Sequence, residues 1–318
     1  MQTKNIIFCF ILACSFHSTV ADPGNGIVAD SKGNIFYTDL SQVWKIDASG
    51  KKTVVVPNVH THELYMDKND NLFGEHLWYN GEATNTWGHY VWKLDAAGKL
   101  EKVIKDTAGF LEWYSFVRDD AGNMYYAEQS IPTNFWKLSP DGKRTLLGSA
   151  SFRHPGRLHV HKGILYLYNH DDIYTIREGD SMQLFRGDLY EGKDSCDRCM
   201  ESVFSDAADN IYAAVSGNRL IKRIAPDGTV TVVHRSEGEW FPTGGVVVNG
   251  VLWVMEYNDK NEIRVVKKSG STSAQEQNRQ NMGKSPDRIL KGVVIAGGLA
   301  VVGAGWLLSR KKKASGKV

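Results

Sequence analysis

What this chain lacks narrows its fold and chemistry first. No 3.6-residue apolar periodicity runs through its body, which excludes helical repeats and bundles. Cysteine is nearly missing: of 4, Cys9 and Cys14 sit at the N-terminus, leaving the pair Cys196-Asp-Arg-Cys199. No second half of a zinc site accompanies that pair, and no helix N-terminus is evident to activate a redox thiol. A local disulfide between Cys196 and Cys199 is the reading an exported protein favours. No Ser-His-Asp order, phosphate-cradling glycine loop or haem motif stands out. Excess positive charge is also missing from the body. The net charge is +2, but +1 belongs to Lys4 and +7 to the stretch from Lys284 onward, which leaves −6 for residues 22–283. An acidic body argues against nucleic acid as a partner.

What is present is a repeated phrase, Asp-x-x-Gly-Asn before an aromatic-aliphatic run, as in Asp30-Ser-Lys-Gly33-Asn34-Ile35-Phe36-Tyr37. It recurs from Asp67 to Phe73, Asp119 to Tyr125 and Asp206 to Tyr212, with shortened copies at His161–Tyr166 and Val248–Trp253. A second phrase follows each copy, centred at 44, 92, 136, 174, 222 and 264, a mean spacing of 44 residues. Asp, Asn and Gly close tight turns, and alternating aromatic and β-branched residues suit a half-buried pleated surface. Small antiparallel sheets at that period predict an all-β, six-bladed propeller of four-stranded blades over residues 22–268. Blade two carries an insertion, Trp78–Gly88, and the outer strand of blade six is not legible.

The two ends read as membrane signals. Residues 1–21 have a basic start at Lys4, an apolar core Ile6–Cys14 and small residues before Asp22, the pattern of a signal peptide. A lipobox at Cys14 would leave too short an apolar run. Residues 269–288 are polar and read as a flexible linker. Residues 289–308 are apolar apart from Lys291 and long enough to cross a bilayer. The basic tail 309–318, with Arg310-Lys-Lys-Lys313, places the C-terminus in the cytoplasm and the propeller on the extracytoplasmic side of the cell membrane. Gly292, Ala296, Ala300 and Ala304 share a helix face, which offers a homodimer contact through the span.

In a propeller, the a–b and c–d turns share one face, and the b–c and d–a loops share the other. The repeated turns occupy the first face, and the unusual residues gather on the second. The d–a loops supply His60, His62, Glu63, Trp113, Glu201 and Trp240, and the b–c loops supply Glu75, His76, Glu128, His170 and Glu256. His159, two residues from His161, is a further candidate. Varied loops on a rigid scaffold are a usual place for binding, so this face is expected to take a protein, glycan or small-molecule ligand. Trp78, Trp113 and Trp240 are candidate aromatic anchors. His60, His62 and His76 are candidate ligands for a divalent cation, although no fixed metal spacing is present.

These strand phrases resemble NHL repeats and the propellers of the gluconolactonase (senescence-marker) family over about residues 26–268. The lactonase resemblance implies a metal in the central channel, held by a glutamate of the first blade, asparagines and an aspartate. It also implies metal-dependent hydrolase or lyase activity as the alternative to ligand binding. At the matching positions this sequence has Asn25-Gly26-Ile27 without a glutamate, Gly156 in place of an asparagine and Thr243 in place of an aspartate.

The topology has a direct test. Protease added outside the cell should release a fragment of about the size of residues 22–268 and spare a C-terminal tag; digestion of the tag would overturn the orientation.

Overall fold

In a computed structural model the chain is described over residues 24–268, less 110–113, 129, 152–155, 193–195 and 197–198. The expected signal peptide (1–21), linker (269–288), membrane span (289–308) and basic tail (309–318) lie outside the described residues. Among the described residues no helix is long and apolar enough to cross a membrane.

Six antiparallel sheets follow one another along the chain. Blade one is β1 (Ile27–Ala29), β2 (Ile35–Thr38), β3 (Val43–Ile46) and β4 (Lys52–Val56); blade two is β5 (Leu64–Met66), β6 (Leu72–Tyr79), β7 (Trp87–Leu94) and β8 (Leu100–Ala108). Blade three is β9 (Met124–Glu128), β10 (Thr133–Leu138) and β11 (Arg144–Ala150); blade four is β12 (His159–His161), β13 (Ile164–Asn169), β14 (Asp172–Ile176) and β15 (Gln183–Arg186). Blade five is β16 (Ser202–Ser205), β17 (Ile211–Val215), β18 (Leu220–Ile224) and β19 (Val230–Arg235); blade six is β20 (Phe241–Val248), β21 (Val251–Tyr257) and β22 (Ile263–Lys268).

The expectation of four strands in every blade is corrected in blade three. Blade three's inner strand shrinks to one bridge, Arg118↔Met124, beside a bond from Tyr125 N–H to the Val117 carbonyl. There the Arg118 guanidinium donates to the carbonyls of Ser115 and Val117, using backbone acceptors in its own segment. Blade six shows three strands, and the stretch after Lys268 is not described. The insertion Trp78–Gly88 is not a loose loop. It lengthens β6 and β7, whose pairing runs out to Tyr79↔Trp87.

The repeated turn has a simple cause. In four copies the aspartate accepts from the asparagine backbone N–H and from its side-chain amide: Asp30 at 2.8 and 2.6 Å, Asp67 at 2.8 and 2.8 Å, Asp119 at 2.9 and 2.7 Å, Asp206 at 3.0 and 2.8 Å. Gly33 and Gly122 take positive φ there, and Asp70 and Asp209 take the same left-handed conformation. Those two aspartates reach the preceding blade's turn, Asp70 to Ser31 and Asp209 to Lys162 and His161.

Alternation sorts side chains between neighbouring blades. Along β17, Ile211, Ala213 and Val215 pack toward blade four, while Tyr212 and Ala214 pack toward blade six. Along β13, Leu165 and Leu167 join Phe135 of blade three, and Tyr166 and Tyr168 join blade five. The ring closes in the same way: Ile27, Ile35 and Tyr37 of the first blade pack on Met255 of the last. Among the described residues no strand is exchanged between these two blades.

Trp92 illustrates how tightly a blade interface is filled. It is 1% exposed, its indole N–H donates to the Glu75 carbonyl at 2.9 Å, and a Cβ on Gly74 would overlap its ring. Gly74→Ala should therefore cost about 1–3 kcal/mol by overpacking, read as a lower urea midpoint with an unchanged slope; an unaltered midpoint would show that this contact can relax.

Candidate functional site

The inner strands enclose a central channel of about 350 Å³. Its wall runs through Ile27–Ala29, Leu64–Met66, Phe116–Arg118, Leu158–Val160, Ser202–Ser205 and Gly244–Val246, with Asn25, Glu63 and Arg157 at the mouth on the loop face.

At that mouth the structure brings five of the expected residues together, His60, His62, Glu63, Glu75 and His76. The His60 N–H donates to His76 Nδ1 at 3.0 Å, and the His60 and His62 rings meet edge to face at 4.7 Å. His62 N–H donates to Glu75 Oε1 at 2.7 Å. These contacts arise because β6 continues past the ring wall, so Glu75 and His76 rise beside the d–a loop of blade one. Glu75 is 5% exposed, and its Oε2 has no hydrogen-bond partner. Burial, then the nearby Glu63 charge, push its carboxyl up to about 7. His76 is held below the usual imidazole range by burial, then by His60 and Lys102.

Arg157 dominates the mouth. From the d–a loop between blades three and four its Nη1 donates to Asn25 Oδ1 at 2.6 Å and lies 3.4 Å from Glu63 Oε1, so it spans toward the opposite side of the ring. The metal implied by the lactonase resemblance does not fit these residues. Asn25 offers its oxygen to a guanidinium, Gly156 has no side chain, and Thr243 is fully buried. Among the described residues no group of three or more His, Cys, Asp or Glu is placed to hold a metal ion. His60 Nδ1 bonds the Leu40 carbonyl at 2.8 Å and His76 Nδ1 is taken by His60 N–H, so two of the three histidines expected as cation ligands are engaged with backbone, and His62 Nδ1 lies 3.9 Å from Glu75 Oε1.

The remaining candidates are dispersed. Glu256 is fully buried, bonded to His234 Nε2 at 2.7 Å and Arg264 Nε at 2.6 Å, and is a packing element between blades five and six. Trp240 lies under the Arg264 guanidinium at 4.2 Å. Glu128 accepts from the Trp136 indole at 2.7 Å on blade three. His170 is an exposed residue in the β13–β14 hairpin at φ 56. Glu201 is buried beside β17, its N–H bonded to the Ala214 carbonyl at 3.0 Å. Trp113 lies outside the described residues. His159 is on an inner strand, not a loop, and bonds Ser205 Oγ at 2.9 Å. Burial, then the neighbouring His161, push it down to about 4.

The disulfide expected between Cys196 and Cys199 is not formed; both are free thiols, with the Cys199 Sγ–H directed to the Cys196 carbonyl at 3.0 Å. With only two residues between them the chain folds the second thiol onto its own backbone. Burial, then the Cys196 thiol, push Cys199 up to about 12, which leaves it a poor nucleophile.

Arg118 and Tyr65 are channel residues that the reading of the loops missed; Tyr114 follows Trp113 in a d–a loop that topology assigned to this face. Arg118 lies over the Tyr114 ring at 5.0 Å and the Tyr65 ring at 5.9 Å. Its only signal in the sequence is a position: it precedes Asp119 of the repeated phrase, where other copies have Ala29 and Met66.

No protein family matches the sequence, and no curated protein does. Solved structures do resemble it. A protein of unknown function from Bacteroides thetaiotaomicron has 14% identity and a TM-score of 0.52, covering 77% of this chain and 69% of its own. An auxiliary nutrient binding protein from Bacteroides ovatus has 11% identity and a TM-score of 0.52, covering 78% and 70%. A putative gluconolactonase has 12% identity and a TM-score of 0.51, covering 79% and 93%. The chain is thus a six-bladed propeller with gluconolactonase-like and nutrient-binding structural neighbours; at these identities the likeness concerns the fold.

Glu75 generates a pH prediction. An acid whose folded pKa is raised from 4.5 to about 7 costs nothing while protonated, and its cost grows as pH rises through that window. Glu75→Gln should therefore gain stability relative to the unsubstituted chain between pH 5 and pH 8, by roughly 3 kcal/mol at most. Denaturant titrations at both pH values check it; a difference that does not change with pH would remove Glu75 as the titrating group.

Proposed function

We propose that this chain is a membrane-anchored, extracytoplasmic propeller that binds a small ligand carrying an anionic group in its central channel. The observation that carries the reading is Arg118. Arg118 lines the channel, its guanidinium is held by the carbonyls of Ser115 and Val117 and by the Tyr114 side chain, and no carboxylate pairs with it among the described residues. Burial lowers its pKa, so the positive charge sits where solvation is reduced. A ligand carboxylate, sulfate or phosphate supplies the missing counter-charge through the geometry guanidinium favours. Tyr65 and Tyr114 add flat apolar surface beside that charge. The body's net charge of −6 gives no long-range attraction to anions, so affinity rests on contact inside the channel.

The loop-face mouth is the proposed entrance, where Glu63 and Arg157 set a polar rim. The apolar segment 289–308 and its basic tail support tethering to the membrane, with pairing of two chains through the small-residue face of that span.

Calorimetry on the full chain in detergent, with benzoate, citrate and inorganic phosphate against neutral glucose, tests the reading. At least one anion should bind, and Arg118→Met should weaken it by at least tenfold, consistent with loss of a charged hydrogen bond of about 1.5–3 kcal/mol. Equal affinity in Arg118→Met, or binding of the neutral sugar alone, would refute it.

A further inference from the structure

The inner strands end on the turn face with one residue per blade at a common register position: Ala29↔Ile35, Met66↔Leu72, Arg118↔Met124, His161↔Ile164, Ser205↔Ile211 and Val248↔Val251. In blades four and five these are a histidine and a serine, and they touch. Ser205 Oγ lies 3.0 Å from His161 Nδ1, and His161 Nε2 lies 2.8 Å from Asp209 Oδ1. His159 Nε2 approaches the same Ser205 Oγ at 2.9 Å. Ser205 and His159 line the channel, and His161 stands behind them.

We propose that Ser205, His161 and Asp209 form a nucleophilic triad that hydrolyses small carboxylic esters or lactones at the turn-face end of the channel. This goes beyond ligand binding near Arg118, because it assigns a reaction to residues which that reading does not use.

The hydrogen bonds fix where the protons are. A carboxylate only accepts, so His161 carries its ring proton on Nε2 and donates it to Asp209. Its Nδ1 is then an acceptor for the Ser205 hydroxyl proton. With that proton committed, Ser205 Oγ accepts from His159 Nε2–H. His159 is neutral around pH 7, since burial and His161 push it down to about 4, so it keeps one ring proton to offer.

The chemistry follows from that order. Ser205 Oγ forms a bond to the acyl carbon as its proton passes to His161 Nδ1, and Asp209 stabilises the imidazolium through Nε2–H. As Oγ becomes bonded to the acyl carbon, the His159 Nε2–H it had accepted is released to donate to the oxyanion forming on that carbon. The acyl C–O bond breaks, and the leaving alkoxide takes the proton from His161. Water then adds to the acyl-serine, giving its proton to His161, which returns it to Ser205 as the carboxylic acid departs. Ester and water become acid and alcohol, with no other reactant.

Blade-to-blade lacing is the plainer account of Asp209, and the ring contains its example. Asp70, at the same turn position, bonds Ser31 directly through backbone and hydroxyl at 2.8 and 2.6 Å. Asp209 differs in having an imidazole between carboxylate and hydroxyl, and in a serine that lines the channel. Lys162 holds Asp209 from the solvent side at 2.6 Å and keeps it ionised. Asp209 acts through His161 and is therefore a positioning residue.

The test is labelling of the full chain with a fluorophosphonate, in which Ser205 Oγ would bond phosphorus and expel fluoride. Peptide mapping should place the adduct on Ser205, and Ser205→Ala should abolish both label and hydrolysis of p-nitrophenyl acetate. His161→Gln should slow labelling at least a hundredfold. His159, Lys162 and Asp209 are the titratable groups that interact with His161 among the described residues. Asp209→Asn should slow labelling at least tenfold while leaving anion affinity unchanged, because the His161 ring loses the acceptor that fixes its tautomer; a purely structural aspartate would leave the labelling rate in place. The proposal is overturned if the unsubstituted chain, with sheet circular dichroism and anion binding intact, is unlabelled at Ser205, or if Ser205→Ala hydrolyses the ester as fast as the parent.

Discussion

Every middle strand of this ring must satisfy two neighbours at once, and the rest of the structure depends on that. A strand in an ordinary half-solvated sheet alternates apolar and polar residues, whereas β17 reads Ile-Tyr-Ala-Ala-Val with all five residues buried. Its odd positions serve blade four and its even positions serve blade six. A one-residue slip would exchange the two sets and place Tyr212 where Ala213 now fits. The same demand explains how the circle closes. Blade one presents Ile27, Ile35 and Tyr37 on its outer-lying side, and these stay exposed unless blade six arrives with Met255, Val246 and Trp253. Closure by packing is enough because the interface between blades six and one is itself apolar.

With the faces of the blades committed to packing, chemistry is confined to the strand ends and the channel. The turn face is stiffened by carboxylate–asparagine clamps that use the aspartate side chain fully. Replacing glycine by aspartate at the left-handed position carries a backbone cost, and both Asp70 and Asp209 offset it with bonds to the adjacent blade. The loop face carries no such constraint. There the chain places a titrating carboxyl at Glu75 and a guanidinium at Arg157, groups too expensive to hold so close to an apolar interior without reason.

How much of this was legible follows from what period and composition can encode. The first blade's β2 and β3 were legible as short aromatic-aliphatic runs, because the turns on either side carry their own signals. The face bearing His60, His62, Glu63, Glu75 and His76 was legible from topology alone, since antiparallel order assigns each loop to one end. Glu256 was not, because β21 runs on through it to Tyr257 and an arginine and a histidine enclose it from β22 and β19. Blade three's shortened inner strand has no mark in sequence. Ser205 and His161 were hidden for a different reason. They are separated by 44 residues and meet only because equal register in successive blades brings equivalent positions side by side.

That last relation gives the ring a general way to assemble chemistry. A residue at the end of an inner strand has few sequence-local partners, but it always has the equivalent residue of the next blade beside it. Small aliphatic residues there, as at Ala29 and Val248, leave the channel wall inert. In blades three to five the position holds Arg118, His161 and Ser205, of which Arg118 and Ser205 line the channel and His161 backs the serine. A guanidinium bound to its own backbone carbonyls cannot relax toward a distant carboxylate, and a serine held between two imidazoles cannot rotate away. Both are therefore fixed before any ligand arrives, which is the condition under which short polar contacts yield affinity or rate and not merely reorganisation. Because the asymmetry lies in the ring's wall, it is independent of how the loops on the other face are arranged.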